Sequence, residues 1–119
     1  RIPSQPINRR THMVPAVTLL AREARAIGAM PALYQTWGYR DGDKKRFNDD
    51  FFAMSQRLRK GYHVAARIEA LPIVPVGEAW ESEMTMGRGA HLFLTDGLHP
   101  SRNGVRLNAQ VFYKAFFAR

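Results

Sequence analysis

Apolar residues recur at three- and four-residue steps in three parts of the chain, and this spacing predicts three amphipathic helices. The first covers 14–27, and the second begins near Phe47 and ends at Pro72. The third follows a cap at Ser101 or Asn103. The residues predicted to face inward are, helix by helix, Val17, Leu20, Ala24 and Ile27; Phe47, Phe51, Met54, Leu58, Tyr62 and Ala65; and Val105, Ala109, Phe112 and Phe116.

Two short apolar runs between these helices are typical of buried strands, MPALYQTW at 30–37 and PIVPVG at 72–77. Strands that alternate with helices predict parallel pairing through right-handed crossovers, so the predicted class is α/β. Two parallel strands make only part of a sheet, because parallel sheets need several strands with both faces covered. The pattern therefore predicts the C-terminal part of a larger α/β sandwich, in which 1–13 form a linker or loop.

Composition narrows the range of functions. The chain has 119 residues, which is enough for one domain, and it contains no Cys, which excludes disulfides and thiolate metal sites. It has no apolar run of membrane-spanning length. The net charge of +8 favours anionic partners. However, the basic residues are spread along the chain and no aromatic–basic reader motif occurs, so we predict no nucleic-acid binding.

The beginning of the sequence also bears on function. The chain starts at Arg1 rather than at Met, and its first residues lack the charged-then-apolar pattern of a signal segment. We therefore expect further sequence before Arg1, and the sequence predicts no compartment.

The motif that carries most chemistry is LFLTDGLHPSRNG at 92–104, where Asp96 and His99 stand three residues apart. A carboxylate that accepts a hydrogen bond from Nδ1 of a neutral histidine fixes its tautomer and stabilises the imidazolium formed during general-base catalysis. Gly97 allows a turn between the two residues, and Pro100 favours an extended backbone at His99. A second interpretation stays open, in which Asp96 only caps a turn and His99 is an ordinary surface residue.

The surrounding residues extend this motif into a family resemblance. The stretch TDGLHPSRNGVRLNAQVFYKAFF resembles the last block of the SGNH, or GDSL-type, hydrolases, and LYQTWGYRDGD and PIVPVGEAW are similar to the fourth and fifth strands of one branch of that family. The resemblance implies a three-layer α/β/α sandwich with a parallel, flavodoxin-like sheet. It also implies that Asp96 and His99 are catalytic in the hydrolysis of an ester, on an acylated carbohydrate or lipid, through an acyl-serine intermediate.

The chain also departs from the family pattern. The Gly-Asp-Ser nucleophile and the oxyanion-hole Gly and Asn of the family are missing, and Ser4, Ser55, Ser82 and Ser101 all lack that context. A general base without a nucleophile has nothing to activate. We therefore expect the serine to come from an N-terminal half outside this sequence or from a second chain.

Three further predictions complete the sequence-based picture. Trp37 and Trp80 each end a strand-like run and are predicted to line a substrate cleft, although packing in the core explains them equally well. No histidine has metal-ligand spacing and no phosphate loop occurs, so we predict neither metal nor cofactor. Two alternatives to a hydrolase remain open: a non-catalytic basic binding or assembly module, and an intact small protein that reuses the motif.

Overall fold

The computed structural model describes residues 5–118, which fold into helices around a two-stranded parallel sheet. No helix within 5–118 has both the length and the apolarity to cross a membrane. In chain order the elements are α1 (Pro6–Asn8), a π-helical segment (Arg9–Met13), α2 (Val14–Ala26), β1 (Leu33–Tyr34), α3 (Phe51–Glu69), β2 (Ile73–Val74), α4 (Val76–Thr85), a 3₁₀ turn (Ala90–Leu92) and α5 (Arg102–Phe116).

The N-terminal segment differs from its prediction. Residues 6–13 are helical and run directly into α2, so the prediction of a linker or loop is wrong for them, while residues 1–4 of that linker lie outside the described residues. Pro6 occupies the first helical position, where its missing N–H costs nothing. The guanidinium of Arg9 donates to the backbone carbonyl of Arg57 and ties the segment to α3.

The long helix α3 begins four residues later than the apolar spacing indicates. Asn48 adopts a left-handed backbone conformation, which interrupts any helix through it. Asp50 then caps α3, because its carboxylate accepts a hydrogen bond from the backbone N–H of Ala53. Phe47 is left outside the helix, and its ring lies 3.8 Å beneath the guanidinium carbon of Arg57.

The two strands are shorter than the apolar runs that contain them. Leu33 pairs with Ile73 and Tyr34 with Val74, in parallel, as predicted. The second run is cut short because α4 starts two residues after β2. No capping residue predicts this helix, since Pro75 stands at its N-cap without a side-chain hydrogen bond. Trp80 therefore lies in a helix, and the prediction that it ends a strand is wrong.

Side chains alternate between the two faces of the small sheet, and helices cover both faces. Leu33 and Ile73 pack against the cluster formed by α2, α3 and the turn that follows α3. Val74 belongs to the other cluster, and the ring of Tyr34 contacts Phe112 of α5 edge-on at 4.9 Å. The chain is thus a mixed helix–strand structure with a small parallel sheet. A complete three-layer sandwich stays a prediction, because two strands do not establish it.

Several residues predicted to face inward are exposed. On α2 and just beyond it, Leu20 and Ile27 are 62% and 85% exposed, and on α5 Val105 and Phe116 are 55% and 52% exposed. Ala109 is exposed as well. The inward positions of α5 are Gly104, Leu107, Asn108, Val111 and Phe112.

The outer edge of β1 is open. The N–H groups of Leu33 and Gln35 donate to the carbonyls of Pro72 and Val74, so the backbone groups of Tyr34 point to the opposite edge. No third strand pairs with that edge within residues 5–118. An open parallel edge is a template for further pairing.

We expect the isolated chain to self-associate at about micromolar concentration through this edge and the exposed apolar residues of α2 and α5. Ile27→Lys combined with Phe116→Lys should shift the chain towards monomer, because each introduces a charge on the apolar surface. Sedimentation velocity measures the shift. The control is Gln56→Lys with Gln110→Lys, which adds the same charge at exposed polar positions. A cooperative wild-type monomer would contradict the prediction.

Candidate active site

The segment that carries Asp96 and His99 is a tight, internally bonded turn. Phe93 and Pro100 form an antiparallel bridge at its base. The N–H of Leu94 donates to the carbonyl of His99, and the N–H of Gly97 donates back to the carbonyl of Leu94. Gly97 has a φ of 71°, a left-handed conformation that glycine adopts without steric cost.

The carboxylate of Asp96 binds the turn and the imidazole together. Its Oδ1 accepts hydrogen bonds from the backbone N–H groups of Leu98 and His99, at 2.8 and 3.0 Å. Its Oδ2 lies 2.6 Å from Nδ1 of His99. Asp96 therefore caps the turn and contacts the histidine ring at once, which differs from the interpretation in which it only caps a turn.

These donors favour the charged form of the carboxylate. The hydrogen bond from His99, followed by those from the backbone N–H groups of Leu98 and His99, lowers the pKa of Asp96 to about 2. Asp96 is thus ionised across the physiological pH range. An ionised carboxylate accepts but does not donate, so Nδ1 of His99 carries the proton and Nε2 is the free base of the neutral ring.

The histidine ring is open on its other side. The side chain of His99 is 71% exposed, and Nε2 makes no hydrogen bond within residues 5–118. A reacting group can therefore approach Nε2 from solvent while Asp96 holds Nδ1. This arrangement is the one that general-base catalysis requires.

The turn lies against the segment that follows β1. The indole Nε1–H of Trp37 donates to the carbonyl of Leu98 at 3.0 Å. The backbone N–H of Arg40 donates to the carbonyl of Gly97 at 2.8 Å. The Asp96–His99 pair therefore lies at the carboxyl end of β1, which is where open α/β sheets bind ligands.

The two tryptophans come together, but in different environments. Their rings stack at a centroid distance of 4.1 Å and an interplanar angle of 5°. Trp80 has no exposed surface, and its indole N–H donates to the Asn108 side chain at 2.7 Å. The prediction that Trp80 contacts substrate is therefore wrong, because no ligand reaches a side chain enclosed on all sides. Trp37 is only partly buried, and its contact with substrate stays a prediction.

The serines within 5–118 serve the fold or lie on the surface. Ser55 is buried, and its hydroxyl accepts a hydrogen bond from the N–H of Gly38. Ser101 caps α5, and its hydroxyl also donates to the carbonyl of His91. Ser82 is exposed on α4. None of these serines hydrogen-bonds to His99, and Ser4 lies outside the described residues.

Sequence reasoning missed three residues that support the site. Gly38 allows the segment after β1 to approach α3, because a Cβ there would lie 2.7 Å from the Ser55 hydroxyl. Asn108 holds Trp80, and the guanidinium of Arg40 packs over Gly97. Of these three, only Asn108 could have been identified from the sequence, because it is a polar residue between the apolar residues of a predicted helix.

Comparison with known proteins gives one informative likeness. No protein-family model matches the chain, and no curated protein matches it. Among solved structures, the chain is similar to a protein from Slackia heliotrinireducens described as "a putative SGNH hydrolase", with a TM-score of 0.73 and 30% sequence identity. The match covers 88% of this chain but 56% of that structure. It supports the SGNH superfamily and a hydrolase-like origin for the chain.

We expect Asp96 to titrate near pH 2 in a carboxyl-carbon NMR titration, recorded on the Ile27→Lys, Phe116→Lys chain. His99→Ala should raise this pKa but leave it below the ordinary 3.8, because the backbone N–H groups of Leu98 and His99 still bind the carboxylate. Because the pKa of Asp96 is lower in the folded chain than in the unfolded chain, its ionised carboxylate stabilises the fold. This contribution to the free energy of unfolding is complete above about pH 4 and is lost as the pH falls through 2.

The control for this titration is His91→Ala, which removes an exposed histidine that makes no hydrogen bond to Asp96. It should leave the Asp96 pKa unchanged. A wild-type value near 3.8 would mean that Asp96 and His99 are unpaired in solution.

Proposed function

We propose that this chain supplies the general base and its orienting carboxylate to a serine hydrolase that cleaves esters. The observation that carries the proposal is the 2.6 Å contact between Asp96 Oδ2 and His99 Nδ1, with Nε2 open to solvent. The likeness to a protein described as an SGNH hydrolase supports the same reaction class. Fold similarity alone would not, because one fold carries many chemistries.

In the proposed reaction, Nε2 of His99 accepts the proton of a serine hydroxyl as its oxygen bonds to the ester carbonyl carbon. The bond to the leaving alcohol then breaks, and the alcohol oxygen takes the proton from Nε2. Water repeats the sequence on the acyl-serine, which releases the carboxylic acid and regenerates the serine. Asp96 stays ionised throughout and stabilises the imidazolium by charge and hydrogen bond.

The serine would come from a segment outside this chain, either an N-terminal half or a second chain. That segment would add a parallel strand at the open edge of β1 and cover the exposed apolar residues of α2 and α5. Three features support this arrangement: the unpaired edge, the exposed apolar residues of α2 and α5, and the 56% of the similar structure that the chain spans. The same segment would provide the oxyanion-hole donors.

The substrate proposed from the family resemblance is an acylated carbohydrate or a lipid ester. Trp37 is the one predicted substrate contact that remains accessible, and a flat aromatic surface suits either class, since sugars and acyl chains both pack against rings. Its stacked position beside the turn would bring such a group close to His99.

The competing role, a basic binding or assembly module, receives less support. The net charge of +8 leaves unpaired basic residues on the chain, but within residues 5–118 seven arginines contact carboxylates of the same chain, and those seven do not add to a cationic surface. The arginines in ion pairs are Arg22, Arg25, Arg40, Arg46, Arg57, Arg59 and Arg88.

We expect the chain alone to hydrolyse p-nitrophenyl acetate no faster than its His99→Ala variant, apart from the background of a free imidazole. A base without a positioned nucleophile accelerates acyl transfer little. A fluorophosphonate probe should label none of its serines. Stoichiometric labelling of one serine would place the nucleophile within this chain and contradict the proposed division.

With the sequence encoded upstream of Arg1 joined to it, the chain should show esterase activity that depends on the pair. Asp96→Asn should lower kcat roughly 10⁴-fold with little change in KM, because the lost contact matters mainly in the transition state. His99→Ala should lower kcat at least as far. Steady-state kinetics measures both effects. His91→Ala is the control and should retain wild-type kcat; equal losses in all three variants would point to misfolding instead.

A further inference from the structure

The hydrogen bonds of the catalytic turn fall into two groups with different consequences. One group lies within the turn and includes all three donors to the Asp96 carboxylate. This group fixes His99 relative to Asp96. The other group joins the turn to the end of β1, through Trp37 to the carbonyl of Leu98 and through the Arg40 N–H to the carbonyl of Gly97.

The second group connects the pair to the rest of the sheet. In the proposed reaction the serine stands on another element, so Nε2 must be placed relative to the sheet and not only relative to Asp96. Reacting atoms have to lie about 3–3.5 Å apart, and small misplacements cost rate. The donors at Trp37 and Arg40 therefore bear on the distance between base and nucleophile.

The segment that supplies these donors is itself well anchored. Gly38 donates its N–H to the buried hydroxyl of Ser55 at 3.1 Å, and Tyr39 donates its N–H to the sulfur of Met54 at 3.3 Å. The ring of Trp37 lies flat on Trp80, whose own N–H is held by Asn108. The indole N–H therefore points at Leu98 from a ring that has little freedom to rotate.

We propose that Trp37 is a positioning residue, whose indole N–H holds the Asp96–His99 turn at the carboxyl end of β1. This inference rests on the proposed hydrolase function. It assigns to Trp37 a second task besides the proposed substrate contact: the pair survives without the indole N–H, but its placement relative to the nucleophile does not.

The first test needs no hydrolysis and uses the Ile27→Lys, Phe116→Lys chain. Trp37→Phe keeps an aromatic ring on Trp80 but removes the donor. Backbone ¹⁵N relaxation should then show greater mobility at Gly97, Leu98 and His99, while Asp96 still titrates near pH 2. The control is Tyr62→Phe, which removes the hydrogen bond to the neighbouring Thr36 hydroxyl and should leave the turn unchanged.

A second measurement uses the Ile27→Lys, Phe116→Lys chain with Trp37 intact, so it does not depend on whether Trp37→Phe folds. The Trp37 indole N–H should exchange with solvent at least tenfold more slowly than free indole, and it should show a nuclear Overhauser contact to the Leu98 backbone. Exchange at the free rate, or a turn equally rigid in Trp37→Phe, would overturn the proposal whether or not the protein is an esterase.

The kinetic test applies to the chain joined to its upstream sequence. Trp37→Phe should lower kcat roughly 10- to 100-fold, the range expected for a misplacement of about 1 Å, and leave KM within about twofold. A raised KM with unchanged kcat would identify Trp37 as a substrate contact only and overturn its positioning role. Activity that His99→Ala does not affect would refute the proposed function and leave the relaxation result standing.

Discussion

The stacked pair of Trp37 and Trp80 joins the elements on which the site depends. One ring follows β1 and the other lies on α4, and the centroid of the Phe93 ring, at the base of the 96–99 turn, lies 4.9 Å from that of Trp80 in an edge-to-face contact. A stacked aromatic pair contributes about 0.5–1.5 kcal/mol beyond the area it buries. Its larger effect here is geometric, because parallel rings in contact fix both the distance and the rotation of the segments that carry them. The two indole N–H groups then point outward from the stack, one to Asn108 of α5 and one to Leu98 of the turn.

The orientation of α5 follows from this stack rather than from its most apolar residues. A buried indole N–H without an acceptor costs about 1–3 kcal/mol, so Asn108 must face Trp80. One turn earlier, Gly104 lies so close that a Cβ there would be 2.4 Å from the Leu92 carbonyl and 2.9 Å from the Trp80 ring. These two residues place Leu107, Val111 and Phe112 inward and leave Val105, Ala109 and Phe116 outside. The inner face of α5 is therefore set by the hydrogen bond of Asn108 and the close approach of Gly104 rather than by its most apolar residues.

The elements that the sequence predicts well are those with local signals. α2 ends within a residue of its prediction, and Ser101 caps α5, because periodicity and capping chemistry are properties of neighbouring residues. The turn at 96–99 was predictable for the same reason, since its glycine and proline act locally. By contrast, α4 begins after a proline that offers no side-chain cap, in a run rich in β-branched residues, so local reasoning extended the strand. The burial of Trp80 was beyond reach, because it depends on Asn108 and Gly104, which lie 28 and 24 residues away in the chain.

The apparent errors on α2 and α5 carry information about the functional unit. Apolar periodicity reports the surface that a helix covers in its working state, whereas burial reports what this chain alone can cover. Leu20 and Ile27 on one side and Val105 and Phe116 on the other keep the helical spacing of core residues while they stay exposed, and the unpaired edge of β1 lies among the same elements. The Asp96–His99 pair shows the same contrast between what this chain contains and what it leaves without a partner. In the proposed function Asp96, the turn and Trp37 hold the base, and every hydrogen-bond donor to the Asp96 carboxylate belongs to this chain. Nε2 of His99, however, has no hydrogen-bond partner within residues 5–118. The segment proposed above, a strand on β1 that carries a serine, would account both for the exposed apolar residues and for a base without a nucleophile.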